Sequence, residues 1–119
     1  MASVKKHLEQ KEKNEEFAAY LENSKYVDWQ IVGIFYAGLH LVKAYLHNQY
    51  NISDKDLRTH NDILKNVDQY CTEAIAKSYR FLYRESRTAR YECINITSIQ
   101  LQMTKQMYKS LHKECIFKN

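Results

Sequence analysis

The feature of this sequence that most constrains its fold is the near absence of turn-forming residues. The chain has no proline and only two glycines, Gly33 and Gly38, in 119 residues. A β-sandwich or a β-barrel needs many tight turns, and tight turns recruit these two residue types. Their scarcity predicts long helices that are joined by few loops.

The length and composition predict one domain. A chain of 119 residues forms one hydrophobic core and has no room for a second of useful size. Hydrophobic residues make up 45% of the chain and aromatic residues 13%, which is enough to fill that core without a disulfide or a metal. We therefore predict an all-α fold in which residues 1–119 form a single antiparallel bundle of about five helices.

Hydrophobic periodicity predicts where these helices lie. The second helix carries the stripe Phe35, Leu39, Val42 and Leu46, which has the spacing of a core face. A further aromatic and polar stripe runs along the same helix, so we expect it at the centre of the bundle. Asp28 is its predicted N-cap. The predicted ranges are about 3–23, 29–48, 56–66, 70–92 and 97–115, with Thr97 or Ser98 capping the last.

The chain is mildly basic and carries three unpaired cysteines. Its formal net charge of +4 permits an anionic partner without requiring one. Cys71, Cys93 and Cys115 lack the close spacing of metal ligands, so we predict reduced thiols, no metal and no cofactor. The first residues contain no hydrophobic signal region, which favours a cytoplasmic location.

The longest apolar run, about 26–46, is nearly long enough to cross a bilayer. Gln30, His40 and Lys43 interrupt it, however. A buried helix of a bundle explains this composition better than a membrane span, and we predict no contact with a membrane.

Four of the five arginines, Arg80, Arg84, Arg87 and Arg90, lie within eleven positions. At 100° per residue, the first three line up along one edge of a helix, whereas Arg90 falls on the inward side with Ser86. Guanidinium groups beside tyrosines suit phosphates and stacked bases. The alternative is a solvated edge whose arginines pair with acidic residues of a neighbouring helix or protomer.

An inward arginine keeps its charge, so it must find acceptors or line a wet cleft. On the second helix, His40 shares a polar strip with Tyr36 and Lys43. We predict that His40 meets Ser86 and Arg90 in one cluster, with Arg87 at the rim. The alternative is a hydrogen-bond network that only holds the bundle together.

His60 is a separate candidate. It lies near the predicted start of the short third helix, and a histidine at a helix N-terminus can help to bind an anion. The alternative is a surface histidine without a role.

Two stretches of the sequence resemble the HEPN (higher eukaryotes and prokaryotes nucleotide-binding) family. Residues 28–40 read DWQIVGIFYAGLH and contain the FYA-x-x-H stretch that is typical of the second helix of small HEPN proteins. Residues 79–91 read YRFLYRESRTARY and resemble the signature of their fourth helix. Thr59-His60 matches the histidine-containing segment between them, so the resemblance covers residues 28–91. It implies a HEPN-like helical bundle.

The resemblance also implies what the chain does. HEPN ribonucleases cleave RNA without a metal, across a dimer, and use an arginine that is followed four to six residues later by a histidine. No arginine of this chain has a histidine at that spacing, and Ile63 stands where the family commonly has an arginine.

Three functions follow from this reading. The first is a non-catalytic module that binds a nucleotide, RNA or a partner protein as a homodimer. The second is one subunit of a toxin–antitoxin or nucleotidyltransferase pair. The third is a metal-independent ribonuclease of atypical layout, with His40 or His60 as the acid or base. Ten tyrosines in so short a chain also favour a homodimer, because tyrosine is frequent at interfaces.

Overall fold

A computed structural model describes residues 3–117, which form five α-helices and one short 3₁₀ turn. In chain order these are α1 (Val4–Tyr20), α2 (Val27–Tyr50), the 3₁₀ turn (Asp54–Asp56), α3 (His60–Tyr70), α4 (Glu73–Tyr91) and α5 (Ser98–Glu114). No β-strand occurs within residues 3–117. The prediction of an all-α bundle of about five helices is confirmed.

Helix α2 is the centre of the bundle and packs against each of the other four α-helices. Its predicted core stripe is buried: Phe35, Val42 and Leu46 are fully inaccessible, and Leu39 is 8% exposed. Gly38 allows α4 and α5 to approach closely, because a Cβ at that position would lie only 3.0 Å from Cδ1 of Leu82. Within residues 3–117, no helix combines the length and the hydrophobicity that crossing a bilayer requires.

Polar contacts show the directions of α1 and α5 relative to α2. Gln30 of α2 bonds to Glu22 just after α1, and His40 of α2 contacts His7 near the start of α1. The two helices are therefore antiparallel. Lys105 in the middle of α5 bonds to Glu22, and Gln49 at the end of α2 donates to the carbonyl of Ile116 just after α5, so α5 runs in the same direction as α2.

The second helix begins earlier than predicted. Its N-cap is Tyr26, and Asp28 lies in the first turn and does not cap it. A carboxylate in the first turn still interacts favourably with the helix dipole. The helix ends at Tyr50, and its C-cap Asn51 has a left-handed φ of 56°, a conformation that asparagine tolerates better than most residues.

The third helix was predicted to start at Asp56, but α3 begins at His60. Thr59 caps it, and its hydroxyl accepts from the amide of Asp62, whose carboxylate accepts from the amide of Thr59. This capping box gives side-chain acceptors to two amides that the start of a helix at His60 leaves without a backbone acceptor. Likewise α4 starts at Glu73 after the cap Thr72, and Thr97 caps α5 as one of the two predicted alternatives.

Candidate functional site

Arg90 anchors a polar site between α2 and α4. Its Nη1 donates a hydrogen bond to the hydroxyl of Tyr36 at 3.1 Å, and its Nε donates to the backbone carbonyl of Ser86 at 3.3 Å. The guanidinium also lies over the rings of Tyr36 and Tyr91, with centroid distances of 5.8 and 5.1 Å. The inward arginine therefore finds acceptors and aromatic faces.

Arg87 lies one turn earlier on α4 and extends the same surface. Its Nη1 donates to the hydroxyl of Tyr83 at 3.2 Å, and its guanidinium also lies over the rings of Tyr83 and Tyr91. Two guanidinium groups thus share the ring of Tyr91, which is 64% exposed. Cation–π contacts hold both groups at the surface of the bundle.

His60 completes the site from α3. Its ring packs against the ring of Tyr83 with a centroid distance of 4.6 Å, and against that of Phe35 at 5.6 Å. Burial lowers the pKa of His60, and the positive charges of Arg90, Lys43 and Arg87 lower it further. Burial and the nearby cations therefore both favour the neutral form of the imidazole.

We call this surface the cationic patch and define it as Lys43, His60, Arg87 and Arg90 with the tyrosines Tyr36 and Tyr83. None of the four ion pairs within residues 3–117 includes a residue of the patch. The guanidinium groups donate to hydroxyl and carbonyl oxygens, which do not neutralise them. The patch therefore concentrates positive charge outside any of these ion pairs, and Glu92 is a carboxylate whose charge reaches Arg87 at longer range. Guanidinium groups that are not engaged in ion pairs suit an anionic ligand.

Three buried polar atoms in the part of the chain that the structure describes have no hydrogen-bond partner, and all three belong to α3 or α4. They are Nδ1 of His60, the hydroxyl of Tyr79 and Oγ of Ser86. Tyr79 and Ser86 are completely inaccessible. Burial and the neighbouring Tyr83 and Tyr36 raise the pKa of Tyr79, so it remains a neutral hydroxyl. Each unpaired atom costs free energy unless a water or a ligand group reaches it.

His40 lies on a different face from the one we predicted. Its Nδ1 is 3.1 Å from Nδ1 of His7, and Nε2 of His7 is 2.7 Å from the carboxylate of Asp54. A hydrogen bond between the two Nδ1 atoms requires that one imidazole ring donates its proton and the other accepts it. Burial lowers the pKa of His40 to about 4, helped by the charges of His7 and Lys43 and opposed by Asp54.

The rotation of the helix explains this difference. At about 100° per residue, four residues from Tyr36 to His40 turn about 40° beyond one full circle, whereas seven residues to Lys43 fall about 20° short of two. His40 is therefore turned toward α1, and Lys43 stays close to the direction of Tyr36. His60 occupies the place beside Arg90 that we had expected for His40.

The three arginines that we predicted along one edge of the helix, Arg80, Arg84 and Arg87, do not form one surface. Arg80 pairs with Asp68 of α3, as the structural alternative anticipated, and Arg84 lies over the ring of Phe81 at 5.5 Å. Both line a shallow cavity that also includes Met107 of α5. Only Arg87 turns toward the patch. The structure thus brings together Ser86, Arg87, Arg90 and His60, and it separates Arg80, Arg84 and His40 from them.

The cysteines are free and mostly inaccessible. Cys115 is buried, Cys71 is half-buried, and only Cys93 is exposed. Burial raises the pKa of Cys71 to about 11 and that of Cys115 to about 12, so neither is a reactive thiolate at neutral pH. No group of histidine, cysteine and carboxylate side chains within residues 3–117 has the arrangement of a metal site.

Comparison of the chain with models of protein families, with curated proteins and with solved structures finds no match. The chemistry of the patch is therefore inferred from its own geometry.

Sequence reasoning underestimated His60 and missed His7 and Asp54. The signal for His60 was present, since Thr59-His60-Asn61-Asp62 is a capping box that puts the histidine at the first position of a helix. His7 and Asp54 lie 47 positions apart and belong to different elements, so no local spacing could have joined them.

Proposed function

We propose that this chain is a non-catalytic, HEPN-like module that binds the phosphate groups of single-stranded RNA or of a nucleotide at the cationic patch. The observation that carries the proposal is that Lys43, Arg87 and Arg90 lie around His60 and take part in none of the ion pairs within residues 3–117. Like charges that converge repel one another. An anionic ligand removes that repulsion and gains charge-assisted hydrogen bonds from two guanidinium groups.

The aromatic rings of the patch favour a nucleic acid over a free inorganic anion. Tyr83 and Tyr91 lie beside the guanidinium groups, and Tyr91 is largely exposed. Stacking of a base on an exposed ring contributes about 1–3 kcal/mol and tolerates any base. Phosphates on the arginines and bases on the tyrosines together describe a site for a short single strand.

The positions of the residues within the sequence also support the HEPN-like assignment. The two stretches that carry the resemblance contribute Tyr36 on one side of the patch and Tyr83, Arg87 and Arg90 on the other. The segment between them contributes His60. Three separate parts of the resemblance thus converge on one surface, which is expected if they share a function.

Titration of a labelled single-stranded RNA by fluorescence anisotropy tests the proposal. We expect the affinity to fall as salt rises, with a logarithmic slope of about −0.7 for each phosphate that is neutralised. The double variant Arg87→Gln/Arg90→Gln should weaken binding by about tenfold or more and flatten this slope, with the melting temperature nearly unchanged. Arg80→Gln is the matched control, because Arg80 lies on the same helix but is already paired with Asp68.

Two results would contradict binding at the patch. One is an equal loss of affinity in Arg80→Gln and in the double variant. The other is a loss of stability of about 1–3 kcal/mol in Arg90→Gln without any loss of RNA affinity, which would assign the cluster to a structural network.

The proposed module is a homodimer. Besides Tyr91, which lies against the arginines of the patch, four of the ten tyrosines are exposed in the single chain: Tyr20, Tyr26, Tyr50 and Tyr70. Aromatic residues of this kind are enriched in the buried parts of interfaces. Light scattering at micromolar concentration should give the mass of two chains, and the mass of one chain across that range would refute the homodimer.

A further inference from the structure

A second, smaller recess adjoins the cationic patch. It lies between the start of α2 and the end of α4, has a volume of about 280 Å³, and is lined by Asp28, Trp29, Val32, Ala89, Arg90 and Tyr91. Arg90 belongs both to this recess and to the patch. A ligand that is held by Arg90 can therefore occupy both.

The size and the walls of the recess suit one planar ring system. Pockets for drug-sized molecules measure roughly 300–1,000 Å³, so this recess holds a single base and not a whole nucleotide. Trp29 and Tyr91 contribute aromatic surface and are 52% and 64% exposed. Flat apolar faces of this kind stack with the π-face of a base.

Asp28 gives the recess a chemical preference. None of the ion pairs within residues 3–117 includes Asp28. An ionised carboxylate only accepts hydrogen bonds, and it can accept two at once. Of the four RNA bases, guanine alone presents two adjacent donors, N1–H and N2–H₂, on its Watson–Crick edge. Adenine, cytosine and uracil each place an acceptor next to their donor, and that acceptor would face the carboxylate without a proton between them.

We propose that this recess binds a guanine base, with its Watson–Crick edge on Asp28, its ring against Trp29 and Tyr91, and its phosphate on Arg90 and Arg87. This inference rests on the proposed function, because the phosphate of the guanine nucleotide occupies the cationic patch. It adds a base preference that the patch by itself does not provide.

Trp29 reports directly on the recess because it is the only tryptophan of the chain. We expect GMP to quench its fluorescence when the protein is excited at the red edge of the tryptophan band, where bases do not absorb. The affinity for GMP, measured in parallel by calorimetry, should exceed that for AMP by about tenfold or more, the discrimination that one bidentate base contact provides. Short RNAs with and without guanine extend the same comparison from a free nucleotide to a strand.

Asp28→Asn tests the role of the carboxylate, because the amide keeps the shape but offers one donor and one acceptor. It should lower the affinity for GMP by about tenfold and leave that for AMP within about twofold. Glu73→Gln is the matched control, since Glu73 is likewise a first-turn carboxylate, lies in solvent outside the recess, and its loss changes the net charge equally. Trp29→Leu, measured by calorimetry alone, should weaken both nucleotides.

The possible failures are distinguishable. Equal affinities for GMP and AMP, or an Asp28→Asn variant that behaves like Glu73→Gln, would overturn the guanine site. If RNA and tripolyphosphate still bind with salt dependence through Arg87 and Arg90, the proposed function stands without it. If neither RNA, tripolyphosphate nor GMP binds, both proposals fail.

Discussion

The two sides of helix α2 differ in whether their polar side chains are paired with carboxylates. On the side that faces α1 and α5, carboxylates form hydrogen bonds with the polar side chains. Asp54 bonds to His7, Glu15 accepts from Lys11 and Tyr108, and Glu22 accepts from Gln30 and Lys105. Three of the four ion pairs within residues 3–117 involve α1 or the turn after it.

On the side of α2 that faces α3 and α4, the ion pair between Arg80 and Asp68 lies outside the patch, and the patch itself includes no ion pair within residues 3–117. There the cations of the patch surround His60, and the three unpartnered buried polar atoms of residues 3–117 lie on the same two helices. Both sides belong to one small bundle with one core. The difference shows that stability alone does not explain the patch, because within residues 3–117 no unpartnered buried polar side-chain atom belongs to α1, α2 or α5.

The largest expected effect is at the junction that joins α1 to the loop before α3. His7→Gln should lower the free energy of unfolding by about 1–3 kcal/mol, because the side chain of His40 loses its buried partner. Urea denaturation measures this change. His60→Gln should cost less, since its buried Nδ1 has no hydrogen bond to lose. An equal cost at both positions would remove the distinction between the two sides.

A smaller change in the free energy of unfolding is expected when the pH is lowered. The pKa of His40 in the folded chain, about 4, lies below its ordinary value of 6.5, so the unfolded chain takes up a proton first as the pH falls. Its contribution to stability is complete above about pH 6.5 and is lost progressively down to about pH 4. Because His40 is only half-buried, solvent screens part of this cost.

Thermal melts between pH 4 and 7 measure that dependence. His40→Gln should flatten the decrease in melting temperature that the wild-type chain shows below about pH 6.5. His47→Gln, which changes another histidine of the same helix, is the control. A wild-type melting temperature that stays constant over this range, or an identical decrease in His40→Gln, would contradict the assigned protonation of His40.

The smallest expected effect is the change in the free energy of unfolding when a tyrosine on either side of α2 is replaced by phenylalanine. Tyr108→Phe loses the bond from its hydroxyl to Glu15 and should cost about 1 kcal/mol. Tyr79→Phe removes a buried hydroxyl that has no partner, so the free energy of unfolding should stay within about 0.5 kcal/mol or rise. Calorimetric melts of both variants test the pair. A loss of about 1 kcal/mol in Tyr79→Phe would mean that this hydroxyl is hydrogen-bonded in solution.

The features that could be predicted from the sequence are mostly local ones, namely hydrophobic periodicity and capping residues. The hydrophobic stripe of α2 predicted its buried face, and residue type and position reduced the cap of α5 to Thr97 or Ser98, of which Thr97 is the cap. The start of α3 was predicted four residues too early, because Leu57 is apolar and was assigned to the helix. It is instead buried in the segment between the 3₁₀ turn and α3. The capping box at Thr59 was the stronger signal.

The sequence by itself determined that the chain forms long helices, which of them is central, and that Arg90 must find acceptors inside the bundle. These follow from composition, periodicity and charge, which act along the chain. Only the tertiary structure decided that His60 meets Arg90, that His40 turns to His7, and that Arg80 is neutralised by Asp68. These pairings depend on the rotation of each helix about its axis and on how the helices are docked. A rotation of a few tens of degrees is invisible in the hydrophobic pattern, yet it determines which polar side chains meet.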